Sequence, residues 1–229
     1  MADGLLFVYT DPGPVPAAEF NDWYDNEHGP ARLTVPGITS GSRFHALDDA
    51  LPPWLAYYEF RQGTLDSPEY RALADNASAR EKSIMSSLAT LDRRVYELIS
   101  DDSAPGGDDP PGESDGPNGP DGLDGLAGPP VVLAVSLSVP PSAEADLAAW
   151  YAGEHIPALL KVPGWRRVRR YRLAEGGAPT YLALSEVESA AVFEQPAYQA
   201  SVSTPRRNRL VELAIERERR LFGLHKAFG

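Results

Sequence analysis

The sequence predicts an α+β protein made of two copies of one βαββαβ unit. The main observation is an internal repeat: residues 23–37 read WYDNEHGPARLTVPG and residues 150–164 read WYAGEHIPALLKVPG, with ten identities in fifteen positions. In both copies a short apolar run precedes this segment and two strand-like segments follow it. At 229 residues the chain is long enough for two domains. We therefore expect one repeat at residues 1–100 and a second at residues 131–229.

The elements of the first repeat can be assigned in order. Residues 5–9 form a short apolar run before a turn signal rich in Pro and Gly, which predicts a buried strand. A helix is expected from about Pro16 to about Leu33, because the pair Pro36-Gly37 ends it. Two further strands, a second helical region and a closing strand are expected at residues 38–47, 54–60, 68–87 and 94–99.

The second repeat follows the same order. Its expected elements are a strand at 131–139, a helix from about Ser142, strands at 165–173 and 179–187, helical sequence to about 218, and a short strand at 220–224. This order is the ferredoxin-like pattern, in which helices cover one face of the sheet and leave the other bare. Two such units can bury their bare faces on each other, so we expect the repeats to pack sheet to sheet.

A linker is predicted between the repeats, at residues 101–130. It holds eight acidic residues, no Lys or Arg, and fifteen Gly or Pro, so it is expected to be disordered. Because most of the net charge of −12 lies there, nucleic acid is not an expected partner. A basic strand carries Arg166, Arg167, Arg169, Arg170 and Arg172. It is interpreted as solvated or linker-facing, with a clamp for an anionic ligand or for the linker as the alternative.

Composition excludes several classes of site. The chain has no Cys, which excludes disulfides and thiolate chemistry, and its four His show no spacing typical of a metal site. No apolar run is long enough to span a bilayer, and the first residues do not form a signal peptide. We therefore expect a cytoplasmic protein that binds no metal and no membrane.

One face of the first helix of each repeat carries aromatic residues followed by a Glu-His pair. The spacing i, i+3, i+4, i+7 and i+8 holds for Phe20, Trp23, Tyr24, Glu27 and His28, and again for Leu147, Trp150, Tyr151, Glu154 and His155. Burial lowers the pKa of an imidazole, and a histidine so placed suits proton transfer near neutral pH. A purely structural role is the alternative, since a duplicated packing motif would recur in the same way.

The first repeat has a second histidine, His45, on the strand after the motif. Strand alternation puts Arg43 and His45 on one face. If that face looks toward the helices, His28 and His45 could share one pocket as an acid-base pair; otherwise His45 lies between the repeats. Tyr57 and Tyr58 add hydroxyl donors, so the first repeat is expected to hold the active cavity.

The string WYxxEHxPxxLxVPG, followed by a strand and a Pro-x-Tyr helix, resembles the EthD-like proteins of the dimeric α+β barrel superfamily, here with both protomers fused in one chain. The resemblance covers both repeats and leaves out the linker. It implies a pseudo-dimeric α+β barrel in which each repeat has an apolar cavity between sheet and helices. It also implies proton transfer at His28 and His155 without a cofactor. Relatives include polyketide cyclases, muconolactone isomerases, quinone-forming monooxygenases and, more remotely, haem proteins.

The leading hypothesis is a cofactor-independent lyase, isomerase or cyclase that acts on a small, hydrophobic, polyketide-like phenol or ketone of secondary metabolism. His28 would move the proton, and Tyr58, Tyr24 or His45 would polarise the oxygen. Glu27 completes the catalytic candidates. The candidates for substrate binding are Trp23, Tyr24, Tyr57, Arg43, Tyr151, Glu154 and His155. A cofactorless monooxygenase and a non-enzymatic binding or structural protein are the alternatives, and further homodimerisation is left open.

Overall fold

The computed structural model describes residues 2–105, 130–177 and 179–228, which form two βαββαβ repeats. The strands of the first repeat are β1 (Gly4–Asp11), β2 (Ile38–Ala46), β3 (Trp54–Phe60) and β4 (Thr90–Ser103). Its first helix consists of α1 (Ala17–Trp23), a π-helical turn (Tyr24–His28) and α2 (Gly29–Leu33). A 3-10 turn (Thr64–Asp66) leads into the second helical region, α3 (Pro68–Asp75) and α4 (Ala79–Ser87).

The second repeat has the same organisation. Its strands are β5 (Val131–Ser138), β6 (Trp165–Glu175), β7 (Tyr181–Val187) and β8 (Glu216–Phe228). Its first helix consists of α5 (Pro141–Trp150), a π-helical turn (Tyr151–His155) and α6 (Ile156–Leu159). A 3-10 turn (Ala190–Glu194) precedes α7 (Pro196–Ser201) and α8 (Pro205–Glu212).

The eight strands form one closed barrel in the order β1-β3-β2-β8-β5-β7-β6-β4. Each repeat contributes a four-stranded antiparallel sheet, and the two sheets are joined at both edges, where β2 pairs with β8 and β4 pairs with β6. The predicted fold class, two ferredoxin-like repeats in a pseudo-dimeric α+β barrel, is confirmed. Closing the barrel leaves no sheet edge of these strands exposed.

Alternate residues of each strand enter different cores. Leu5 and Phe7 of β1 point into the barrel, where they join Leu182 and Phe222 of the second repeat. Leu6 points outward and packs under the helices of its own repeat. Because both faces of β1 and β5 are buried, their sequences are largely apolar and do not alternate strictly with polar residues. Each repeat has a cavity in its outer core, between sheet and helices.

The basic strand β6 contributes to the core. Arg169 is 2% exposed and binds Glu59 of the first repeat and Glu186 of the second. Its guanidinium also donates to the Tyr57 hydroxyl at 3.4 Å, inside the barrel. Arg170 is buried as well, over the ring of Tyr151. The interpretation of this strand as solvated was wrong for these two arginines, because Arg169 has carboxylate partners in both repeats and Arg170 packs on an aromatic ring of the first helix of its own repeat.

Two predicted boundaries also differ. The first repeat continues past residue 100, because Asp101 and its neighbours pair with β6 and Asp101 forms an ion pair with Arg167. Residues 106–129 of the predicted linker lie outside the described residues. The helical sequence expected up to residue 218 ends at Glu212, and β8 has thirteen residues, from Glu216 to Phe228. The predicted strand at residues 220–224 lies within β8, but its first residues carry no strand signal, because charged residues occupy both faces there.

Candidate functional site

The Glu-His motif of each repeat lies in the π-helical turn. The Gly29 N–H donates to the Tyr24 carbonyl, five residues back, and Ile156 repeats this contact with Tyr151. Turns of this kind occur frequently at functional sites. In the first repeat the turn directs His28 inward, with 8% exposure. Glu27, predicted as a catalytic residue, instead lies on the surface and binds Arg80, because the extra residue in the turn rotates it away from the core.

His28 contacts a carboxylate on one side of its ring and a guanidinium on the other. Its Nδ1 lies 2.9 Å from Oε1 of Glu81, and its Nε2 lies 3.1 Å from Nε and 3.0 Å from Nη2 of Arg32. A carboxylate only accepts and a guanidinium only donates. Nδ1 therefore carries the proton and donates it to Glu81, while Nε2 accepts from Arg32. These contacts define a neutral imidazole in one tautomer.

The pKa values of this group agree with that assignment. Burial, followed by the charge of Arg32, lowers the pKa of His28 to about 4. The hydrogen bond from His28 lowers the pKa of Glu81. At neutral pH the site therefore holds a neutral histidine between an ionised carboxylate and a guanidinium, which is the charge state required of a base.

Arg32 is held by aromatic rings and lacks a carboxylate of its own. Its guanidinium carbon lies 5.6 Å from the ring centre of Tyr58 and 6.0 Å from that of Tyr70, distances typical of cation–π contacts. Among the described residues no acidic side chain forms an ion pair with it. The Tyr58 hydroxyl donates to the Tyr24 hydroxyl at 3.3 Å. Arg32 is thus a cation able to bind an anionic oxygen.

The four residues His28, Arg32, Tyr70 and Met85 line both an inner cavity and an outer groove. The inner cavity has a volume of about 80 Å³ and is also lined by Trp23 and Tyr24. The groove, between α2 and the helices α3 and α4, has a volume of about 710 Å³ and includes Glu81. A cavity that takes up benzene measures about 150 Å³. The inner cavity is therefore too small for an aromatic substrate, whereas the groove is large enough.

Arg43 and Tyr57, predicted to bind substrate, lie elsewhere. Arg43 is fully buried, donates to Asp25 at 2.7 Å and to Asn21 at 2.8 Å, and stacks 3.8 Å from the ring centre of Trp54. The guanidinium of Arg43 thus binds side chains of the first helix and joins that helix to β2, so it is not available to a substrate. Tyr57 faces the barrel interior, because alternation along β3 sends Tyr58 to the helices and Tyr57 to the opposite side.

His45 does not share a pocket with His28. The strand face that holds Arg43 and His45 does look toward the helices, which is the first of the two alternatives. However, His45 is exposed and packs against Trp54, with 4.7 Å between the ring centres. The Trp54 ring also contacts His225, whose Nε2 lies 2.8 Å from the carboxylate of Asp25. The partner of His28 is therefore Glu81 and not His45.

The second repeat places His155 in a different environment. It stacks on Trp150 at 4.3 Å between ring centres and lines a cavity of about 70 Å³ together with Tyr151. Burial lowers its pKa to about 4. Glu154, predicted to bind substrate, does not line this cavity; it is half-buried and lies 4.0 Å from a nitrogen of Arg206. The two cavities have similar sizes but different polar groups.

Sequence differences between the copies explain this contrast. Arg32 corresponds to Leu159 in the repeated string. Glu81 is the third residue after the helix cap Ser78, and Arg207 is the third residue after the cap Thr204. The first histidine thus faces a carboxylate and a guanidinium, whereas an arginine replaces that carboxylate in the second repeat.

Arg32 and Glu81 were not among the predicted site residues. The i, i+4 spacing from His28 to Arg32 was a usable signal for their contact. The segment Ser78-x-x-Glu81 signals a helix start, but it gives no indication that Glu81 meets a histidine 53 residues away.

Two further features concern metals and membranes. Within the described ranges, no group of three or more His, Asp or Glu side chains is arranged to hold a metal ion. None of the helices in those ranges is long and apolar enough to cross a membrane.

Comparison with known proteins shows similarity in structure alone. No family model matches the chain, and no curated protein matches it significantly. The chain is similar to a solved anthrone oxidase-like protein, with a TM-score of 0.64, 16% identity, and coverage of 99% of this chain and 92% of that chain. It is also similar to a protein of Fusobacterium nucleatum named provisionally as a monooxygenase, with a TM-score of 0.60, 8% identity, and coverage of 99% of this chain and 94% of that chain. A chlorite dismutase of Candidatus Nitrospira defluvii matches with a TM-score of 0.53 and 11% identity, and the match covers 97% of this chain and 90% of that chain.

These identities are low enough that the similarity shows the fold and nothing more. The neighbours share the dimeric α+β barrel with this chain across nearly its whole length. The narrower EthD-like resemblance stays a prediction, since no family model supports it.

Proposed function

We propose that the first repeat is a cofactor-free enzyme site that removes a proton from a small, apolar, oxygenated molecule bound in the outer groove. The observation that carries the proposal is the chain of contacts Glu81–His28–Arg32 at the wall of the groove. The EthD-like resemblance supports the same role for the histidine at the end of the first helix.

The arrangement provides both parts of such a reaction. A carbonyl or phenol oxygen of the substrate replaces Nε2 of His28 as the acceptor of the Arg32 guanidinium. The lone pair of Nε2 is then free to take the proton from the neighbouring carbon or hydroxyl group. Arg32 stabilises the oxyanion that forms, and the carboxylate of Glu81 stabilises the imidazolium.

The fate of this anion decides the reaction class. Return of the proton to a different atom gives an isomerase. Attack of the carbanion on a carbonyl carbon of the same molecule, whose oxygen takes up the proton, gives a cyclase, and expulsion of a leaving group from the neighbouring carbon gives a lyase; these are the classes of the leading hypothesis. Transfer of electrons from the anion to O2 gives a cofactorless oxygenase. The second candidate is favoured by the names of the fold neighbours, which include an anthrone oxidase-like protein and a monooxygenase.

Anthrone is a suitable probe, because its methylene proton is acidic and its anion is an aromatic oxyanion that reacts with O2. Without oxygen, the protein in D2O should speed hydrogen exchange at this methylene group. The variant His28→Ala should reduce the exchange rate by about a hundredfold or more, and Arg32→Met should also reduce it. The surface variant Glu27→Gln is the matched control and should keep the full rate.

A second measurement separates the two candidates. In air, the oxygenase predicts that anthrone and O2 are consumed in equal amounts to give anthraquinone and water. Exchange without oxygen uptake favours the isomerase, cyclase or lyase. An exchange rate that is unchanged in His28→Ala, with the fold intact by circular dichroism, would show that the histidine is structural and would overturn the proposal.

A further inference from the structure

Three arginines surround the mouth of the second-repeat cavity. Arg207 of α8 and Arg217 and Arg219 of β8 all line it. Arg217 and Arg219 are two residues apart on one strand, so they project from the same face, toward α8. Burial, together with the positive charges of its two neighbours, lowers the pKa of Arg207. Three like charges therefore converge on one opening.

These three arginines differ from their neighbours in the chain, which have acidic partners. Within the part of the chain that the structure describes, no carboxylate forms an ion pair with any of the three. By contrast, Arg206 and Arg209 on the same helix share Asp146, each at 2.7 Å. The adjacent Arg220 of β8 binds Asp48 at 3.0 Å. Like charges brought together without a counter-charge repel each other, so an anion at the mouth would relieve that repulsion.

Below the arginines the cavity is apolar. Its walls include Leu147, Trp150 and Leu159. The polar groups that reach it are few, and one of them is His155, whose buried Nδ1 has no hydrogen-bond partner among the described residues. An apolar interior with a small number of polar groups is typical of ligand sites.

We propose that this cavity binds a small apolar carboxylate, with the apolar end of the molecule inside and the carboxylate held by Arg207, Arg217 and Arg219. A guanidinium pairs with a carboxylate through two parallel hydrogen bonds, and two exposed arginines beside a half-buried one form a cationic rim. The first repeat lacks such a rim, because Glu81 occupies the position that corresponds to Arg207. The site is independent of the proton-transfer chemistry proposed for the first repeat.

Butanoate and its uncharged match butanamide test the proposal, because a cavity of about 70 Å³ takes only a short apolar chain. Binding to the full-length protein is measured by isothermal titration calorimetry. Butanoate should bind at least about tenfold more tightly than butanamide, and its affinity should fall as salt is added. Because Arg217 and Arg219 are exposed, the double variant Arg217→Gln and Arg219→Gln should fold normally. It should weaken butanoate binding about tenfold or more and leave butanamide unaffected.

Two controls locate the site. Arg209→Gln removes an arginine of the same helix that binds Asp146, and His28→Ala alters only the first-repeat site. Both variants should keep the butanoate affinity. The proposal is wrong if butanoate does not bind, if the two compounds bind equally, or if Arg209→Gln weakens butanoate binding as much as the double variant does. None of these results depends on whether the protein turns over a substrate.

Discussion

Acidification from about pH 7.5 to about pH 4.5 should destabilise the protein through His28, and the variant His28→Gln isolates this contribution. The pKa of the buried imidazole is lowered to about 4 in the folded protein, whereas it is about 6.5 in an unfolded chain. Between these values the unfolded state binds a proton that the folded state excludes. The free energy of unfolding therefore decreases as the pH falls through this window.

The size of the effect follows from the shift. A difference of about 2.5 pKa units corresponds to about 3.4 kcal/mol once both states are protonated, at about 1.4 kcal/mol per unit. At pH 4.5 the folded protein has begun to take up the proton, so about 2.5 kcal/mol of this loss is reached. That is a large part of the 5–15 kcal/mol by which a domain is typically stable.

Urea unfolding followed by tryptophan fluorescence at both pH values and fixed ionic strength measures this quantity. The wild-type protein should lose about 2.5 kcal/mol more than His28→Gln on acidification. Glu81 adds a contribution of the same sign, because its lowered pKa also favours the folded state above about pH 4.5. Glu27→Gln, on the surface, should behave as the wild type does. An equal pH dependence of wild type and His28→Gln would refute the charge state assigned to the histidine.

Two further predictions concern stability alone. Arg169→Ala leaves Glu59 and Glu186 without their shared partner at the seam and should lower the free energy of unfolding by about 3 kcal/mol, measured by urea unfolding; a loss below about 1 kcal/mol would contradict the role of this pair of contacts. Gly153→Ala adds a Cβ that meets nothing within 4 Å, so it should raise the free energy of unfolding by about 0.5–1 kcal/mol. Gly29→Ala adds a Cβ 2.4 Å from the ring of Phe228, so it should lower the free energy of unfolding by about 1–3 kcal/mol. Equal melting temperatures for the two glycine variants would contradict this difference in local packing.

The fold was predictable because its signals are local and occur twice. Apolar runs such as residues 131–139, the Val-Pro-Gly stops and the duplicated string each predict an element, and the repeat predicts how the elements combine. The start of β8 was the exception. There Glu218 binds Arg94 and Arg220 binds Asp48, both from distant segments, so charged residues fill both faces and the alternation of apolar and polar residues that marks a strand is missing.

The candidate site was only partly predictable. His28 could be singled out by its place on a buried helix face. Glu27 was assigned to the same face because ideal α-helical spacing was assumed, and the π-helical turn breaks that spacing. Glu81 approaches from another helix, and no local pattern reveals which side chains of separate elements will meet.

By itself, the sequence determined that the chain is a duplicated βαββαβ protein with a histidine on the core-facing side at the end of each first helix. Hydrophobic periodicity and turn residues act over a few positions, so the helices and strands that they define can be predicted without a structure. Only the tertiary structure decided that Glu81 and Arg32 hold the first histidine and that three arginines open onto the second cavity. Those contacts join elements far apart in the chain, and their charges depend on burial that only the closed barrel and its helices create.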